Sequence, residues 1–162
     1  MSYPESEIRS AVEHYVEVRE QIERGESDWR DFVELFTEDA VFVDPAWGRA
    51  EGRAAIRDLF DTAMPGVDFK FPIDFWAIAG DRVVVKWRQV LPISRPDGTP
   101  YQQSAVSTLI YGGDGRFSYE EDLLNMAHAI EDIVASGWSP GDGFTAPPAV
   151  VDRNFDVEPT RR

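Results

Sequence analysis

The chain has 162 residues, 43% of them hydrophobic and 28% charged, which is the size and composition of one globular domain with a sizeable core. It carries 30 acidic against 16 basic residues, a formal net charge of -14, and no Lys/Arg cluster breaks that balance, so nucleic acid is not an expected partner. The absence of cysteine excludes disulfides, thiol nucleophiles and cysteine zinc sites. No apolar run reaches membrane-spanning length and the opening MSYPESEIRS has no apolar signal core, so a cytoplasmic protein with no membrane partner is expected.

Pro4 to Arg24 reads as an amphipathic helix, with Ile8, Ala11, Val12, Tyr15, Val18 and Ile22 on one face and Gly25 as its stop. Ser27 is the expected N-cap of a second helix whose apolar side is Trp29, Phe32, Val33, Leu35 and Phe36. Val41 to Val43 reads as a short strand, followed by a Gly-punctuated loop. A third helix is expected from Arg53 or Ala54 to Met64. After Pro65-Gly66 the pattern turns to strands: Phe69 to Ala79, with Phe71, Ile73, Phe75 and Ala77 on one side; Arg82 to Leu91; Tyr101 to Tyr111; and Arg116 to Leu124. Gly80-Asp81, Arg95-Pro96-Asp97-Gly98 and Gly112-Gly113-Asp114-Gly115 supply the turns. Ala127 to Ser136 returns to helix. Residues 1–137 then form an α+β cone, a strongly curved antiparallel sheet wrapped around N-terminal helices. Residues 138–162 form an irregular Gly/Pro-rich tail, with Phe144, Val150, Val151 and Phe155 available for burial. The interior of such a cone is a ready pocket for a hydrophobic small molecule.

The stretch from Leu35 to Phe60, LFTEDAVFVDPAWGRAEGRAAIRDLF, holds the first candidate for chemistry. Asp44 stands where an apolar strand stops, flanked by Phe42, Val43, Pro45, Ala46 and Trp47. Desolvation there disfavours the charged carboxylate and poises it for proton transfer. A plain turn-capping role fits the Asp-Pro pair as well. His14 and His128 have no metal-ligand spacing, and neither a metal nor another cofactor is expected.

The opening AVEHYVEV with FVELFTEDAVFVDP, the loop-helix GRAEGRAAIRDLF and the hairpin run ending in STLIYGGDGRFSYEEDLLNM together resemble the nuclear transport factor 2-like superfamily, with its ketosteroid isomerases and SnoaL-like polyketide cyclases. The resemblance covers most of residues 5 to 135. It implies a catalytic aspartate at Asp44, since the isomerases place their base at the end of the first strand before a proline. It implies an oxyanion donor at Tyr15, while Ser107 stands where those isomerases have a protonated aspartate. The SnoaL-like cyclases and limonene-type epoxide hydrolases place a carboxylate on the last strands, and Asp122 is similar in position. Alternation then turns Glu120 and Leu124 inward with it. The Arg-x-Asp pair of the hydrolases falls on Trp87 and Gln89, so epoxide opening is not implied.

The expected catalytic set is therefore Asp44, Asp122 and Tyr15. Ser107, Trp87, Gln89, Phe42, Phe75 and Leu124 are expected to face substrate, with Trp47 as a lid residue and Asn125 as a polar anchor. The expected function is cofactor-independent acid/base catalysis on a hydrophobic carbonyl compound such as a polyketide, terpenoid or steroid. The alternative is a ligand-binding or dimerisation module of the same fold. The resemblance also implies a homodimer through the sheet, with Lys86 and Arg88 meeting Glu121 of the other copy.

Overall fold

The computed structural model describes residues 2–160. Helix α1 spans Glu5–Glu23, with Glu5 and Glu7 in its first turn against the positive end of the helix dipole. It ends in a paired cap: Gly25, at φ +74°, donates to the Ile22 carbonyl and Glu26 donates to that of Gln21. Helix α2 is shorter than expected, Trp29–Val33. Its cap is Asp28 rather than Ser27, with Oδ1 accepting from the Arg30 and Asp31 amides at 2.9 and 3.3 Å. The chain leaves the helix before Phe36, which opens strand β1, Phe36–Asp44. Helix α3 covers Arg53–Ala63 and α4 covers Met126–Ser136.

The Gly-punctuated loop conceals a strand, β2, Gly48–Glu51. A three-residue loop joins it to β1, and Gly48 takes the left-handed φ of +84° that such a turn needs. The remaining strands are β3 (Ile73–Ala79), β4 (Arg82–Ser94), β5 (Pro100–Gly113) and β6 (Arg116–Leu124). Together they form one six-stranded curved sheet in the order β2-β1-β6-β5-β4-β3. All pairs are antiparallel except β1 with β6, which is parallel.

The sheet's inner face and helices α1 to α3 share one core. Phe32, Phe36, Phe42 and Phe60 meet edge-on there, with ring centroids 5.3 to 5.8 Å apart. Two bulges decide which side chains join it. In β3 two residues oppose one on β4, since Ile73 pairs with Trp87 and Phe75 with Lys86. Phe75 is thereby turned to the outer face, where it is 59% exposed. Its expected place in the pocket is a correction: strict alternation through Phe71, Ile73 and Phe75 ignores the extra residue at Asp74. In β6 the same thing happens at Ser118, between the pairs Tyr111 with Phe117 and Ile110 with Tyr119. Phe117 points in, Tyr119 points out to pack with Val41 and Val43, and Glu120 points in again.

Residues 138–160 contain no helix or strand but are packed against the cone at both ends. Trp138 packs at a tilt against Phe69, with centroids 4.7 Å apart, and its Nε1 donates to Asp68 at 2.8 Å. Farther on, the Arg49 side chain is 4% exposed and donates to the carbonyls of Asn154, Asp156 and Glu158 at 3.0, 2.7 and 2.8 Å. The Tyr119 hydroxyl donates to the Phe155 carbonyl at 2.9 Å. A Cβ on Gly48 would lie 2.7 Å from the Asp152 carbonyl, so the strap crosses the β1–β2 turn at glycine distance. Arg49→Ala removes a buried cation's bonds to three tail carbonyls. Hydrogen exchange of residues 150–160 should speed up by a factor corresponding to about 2 kcal/mol of lost local stability, with β4 and β5 amides unaffected.

Candidate functional site

The cone encloses a cavity of about 230 Å³. Three carboxyl groups reach it from two strands. Phe42 and Asp44 alternate inward from β1, and Glu120, Asp122 and Leu124 from β6. Trp87 and Gln89 line it from β4, and Leu59 and Phe60 of α3 with Met64 just past its end. Trp47 stands on the wall beside Pro45, and Trp138, Phe144 and Pro147 of the tail complete it. Most of this surface is apolar, so any charge inside it lacks water to stabilise it.

Asp44 is held by its own turn. Its Oδ1 accepts from the backbone amides of Ala46 and Trp47, both at 2.8 Å. Burial raises its carboxyl above the usual range, while those two bonds and the Arg153 charge pull the other way. Asp122 accepts from the Ser107 hydroxyl at 2.5 Å, and that hydroxyl accepts from Trp87 Nε1 at 2.8 Å. Burial is the main cause of its rise to about 6, opposed by the Ser107 bond and assisted by the Asp44 charge.

Glu120 is 1% exposed and more heavily perturbed. Burial first, and the neighbouring Asp122 charge second, push its carboxyl well above the usual range, which favours its protonated form. Its Oε1 accepts from the Tyr15 hydroxyl at 2.8 Å, while Oε2 is buried with no conventional partner among the described residues. Behind them Arg19 Nη1 donates to the Tyr15 hydroxyl at 3.1 Å and Nη2 to the Phe71 carbonyl at 3.0 Å. The Arg19 guanidinium also lies over the rings of Tyr15, Trp29 and Trp87, at 5.8, 5.8 and 5.4 Å. Two polar chains thus end on neighbouring carboxyl groups, one running Arg19, Tyr15, Glu120 and the other Trp87, Ser107, Asp122.

Of the residues expected here, Asp44, Asp122, Phe42, Trp47, Trp87, Gln89 and Leu124 come together on the cavity. Tyr15 and Ser107 lie one layer behind it, fully buried, with their hydroxyls occupied by Glu120 and Asp122. Tyr15 therefore ionises only well above its ordinary range, through burial and the neighbouring Glu120 carboxyl. Asn125 caps α4 instead, accepting from the Ala127 and His128 amides at 3.1 and 3.3 Å, and borders a separate polar hollow with Arg95 and Asp132. Its expected place as a pocket anchor is corrected by that cap: the side chain is spent where the strand becomes a helix. Arg19 was missed, although it sits at the helical spacing Ile8, Val12, Tyr15, Arg19, Ile22, the one charge in an apolar stripe. Nothing in the sequence marks Trp138 or Pro147 as wall residues.

A model of the SnoaL-like domain matches residues 12–119. The chain belongs to the SnoaL-like domain family. Among solved structures, it is similar to a SnoaL-like polyketide cyclase from Jannaschia sp. CCS1, with 17% identity over 78% of this chain and 93% of that one and a TM-score of 0.62. It is also similar to an LEH-like epoxide hydrolase from M. tuberculosis, with 20% identity, 82% and 94% coverage and a TM-score of 0.60. The epoxide hydrolase/cyclase-like enzyme SalBIII, described in pyran ring formation of the polyether salinomycin, matches with 23% identity, 76% and 95% coverage and a TM-score of 0.56. At such identities the likeness is one of fold. No curated protein matches significantly. No helix among the described residues is long and apolar enough to cross a membrane.

Asp122 holds its proton more tightly folded than unfolded, so its contribution favours folding fully below about pH 4. That contribution is lost as pH rises through about 6. Wild type should therefore lose stability relative to Asp122→Asn between pH 4 and pH 8, by roughly 2–3 kcal/mol in chemical denaturation. Parallel stability curves for the two proteins would exclude a raised Asp122.

Proposed function

We propose that the protein is a cofactor-independent acid/base enzyme that moves a proton next to the carbonyl of a hydrophobic small molecule, of polyketide, terpenoid or steroid type. The observation that carries this reading is the convergence of Asp44 and Asp122 on one apolar cavity, both raised by burial. A base with a pKa of about 6 is largely ionised at neutral pH yet strong enough to accept a carbon-bound proton once desolvated. Asp122 is the base in this reading. Ser107 fixes its Oδ1, leaving the other oxygen for the substrate, and the Asp44 charge increases its basicity. The protonated Glu120, also on the cavity wall, is the acid that donates to the developing oxyanion. Tyr15 and Arg19 act through Glu120 by orienting it. The product, whether isomer, cyclised ring or dehydrated alkene, follows from where the substrate next breaks or forms a bond.

Proton abstraction can be tested without the natural substrate. In deuterium oxide the enzyme should exchange the methyl hydrogens of acetylnaphthalene, followed by proton NMR, with a rate that climbs with pH through about 6. Asp122→Asn should lower that rate by about 10²–10⁴-fold, the usual range for a general base, and Asp44→Asn by less. Equal exchange in wild type and both variants would sink the mechanism in favour of a binding module.

We further propose a homodimer through the outer face of the sheet. The register places Phe75, Lys86, Val106 and Leu123 in one row across β3 to β6. Phe75 and Leu123 in this row are 59% and 52% exposed, an apolar strip of the kind that partner surfaces cover. Lys86 has no ion pair among the described residues, its Nζ donating to the Trp87 carbonyl at 3.0 Å, and in this reading it meets Glu121 of a second copy. Arg88 is engaged within the chain, 2.9 Å from Asp74. Sedimentation should give a dimer for wild type and a monomer for Leu123→Glu; a monomeric wild type at tens of micromolar removes the proposal.

A further inference from the structure

Gln89 is tied into a chain of side chains that the acid/base centre does not use. Its Nε2 donates to Gln103 Oε1 at 2.9 Å. Gln103 is 4% exposed, and its Nε2 donates to Asp132 Oδ2 at 2.7 Å. The other oxygen of Asp132 accepts from Arg95 Nη2 at 3.0 Å, and Arg95 is itself anchored on the Pro100 carbonyl at 2.9 Å and over the Tyr101 ring at 4.2 Å.

The chain has only one orientation that satisfies every member. Asp132, paired with a guanidinium, is an acceptor at both oxygens. Gln103 must therefore turn its amide nitrogen toward Asp132 and its carbonyl oxygen toward Gln89. Gln89 must then give its nitrogen to Gln103. Its carbonyl oxygen is left without a hydrogen bond among the described residues, on a side chain that lines the cavity. A surface carboxylate thus fixes, two amides away, the polarity of one point on the wall.

We propose that Gln89 is a specificity-determining residue, locked as a hydrogen-bond acceptor for a hydroxyl or N–H group of the ligand, with Gln103 and Asp132 as its positioning residues. Asp122 sits in the register row of Val85 and Ser107, four residues along β4 from Gln89. That separation is about 13 Å along the strand. The ligand is therefore an elongated apolar compound with its reacting carbonyl at the carboxylate end and a donor group at the other. The inference rests on the reading of the cavity as a small-molecule site and adds the substrate's second polar group to it.

The test uses acetylnaphthalene carrying a hydroxyl at the far end of its fused rings, its methoxy ether and the unsubstituted ketone, titrated calorimetrically. Wild type should bind the hydroxy compound about tenfold more tightly than the methoxy ether, the value of one hydrogen bond near 1.4 kcal/mol. Gln89→Met, similar in volume but without the acceptor, should bring the two within about twofold. Asp132→Asn frees the Gln103 amide to turn, so the methoxy ether should gain affinity while the unsubstituted ketone binds as before. A loss of the same size for all three ligands in Asp132→Asn would mark a merely structural role and overturn the relay. A hydroxy-to-methoxy ratio unchanged in Gln89→Met overturns the assignment of Gln89 while leaving the acid/base reading intact. Failure of wild type to bind any of the three overturns both.

Discussion

Along β6, side chains would alternate from Phe117 in to Tyr119 in and Glu121 in, were the strand regular. The bulge at Ser118 moves the parity by one, so Tyr119 and Glu121 face outward and Glu120, Asp122 and Leu124 face the cavity. The inward direction of Glu120 and Asp122 depends on that single extra residue. Without it the cone would present Tyr119, Glu121 and Leu123 to its interior, and Glu120 and Asp122 would be turned to the outer face. The neighbouring strand β1 brings Asp44 inward by simple alternation, because Phe36, Ala40, Phe42 and Asp44 share one parity.

Turning two acids inward creates an energetic problem that the rest of the site answers. Three carboxylates in an apolar cavity would repel one another at low dielectric, and full ionisation of all three is the costliest arrangement. Two features reduce that cost. Glu120, pushed well above the usual range by burial, favours its neutral form, which removes one charge from beside Asp122. Arg19 supplies one buried cation, and its charge lowers Glu120 and Asp122 alike. The cation is itself held without a direct carboxylate contact, by Tyr15, the Phe71 carbonyl and three aromatic faces. That indirectness matters, because a guanidinium paired straight onto Asp122 would hold the carboxylate low and remove its basicity.

Much of this was legible in the sequence where local pattern and final position coincide. Asp44 was found because an apolar strand ends at a proline-led turn, and that turn is what holds it. Asp122 was reached through a resemblance, and period-2 spacing from it then carried Glu120 and Leu124 inward with it. Reading failed where position depends on pairing with another strand. Phe75 was misplaced because a bulge is a property of two strands, β3 against β4, and leaves no mark on β3 alone. Strand β2 was read as loop because two of its four residues, Gly48 and Ala50, are small, and its β character comes from the register with β1. Asn125 was misassigned because helix capping and ligand binding call for the same side chain.

The tail belongs to the same logic from the opposite direction. Phe144 and Pro147 supply wall to the cavity from a segment with no ladder of its own, fixed by Arg49 at one end and Trp138 at the other. A strand in that position would have had its opening energy tied to the whole sheet. A strap fastened by a few side chains opens at a smaller free energy than the fold it closes. The cavity is consequently bounded by two kinds of wall. The sheet side fixes the carboxylates and Gln89 to within the tolerance of a hydrogen bond, and the tail side closes over apolar surface where only shape has to match. Chemistry and recognition sit on the rigid wall, and the wall that costs least to move carries no group whose position the proton transfer depends on.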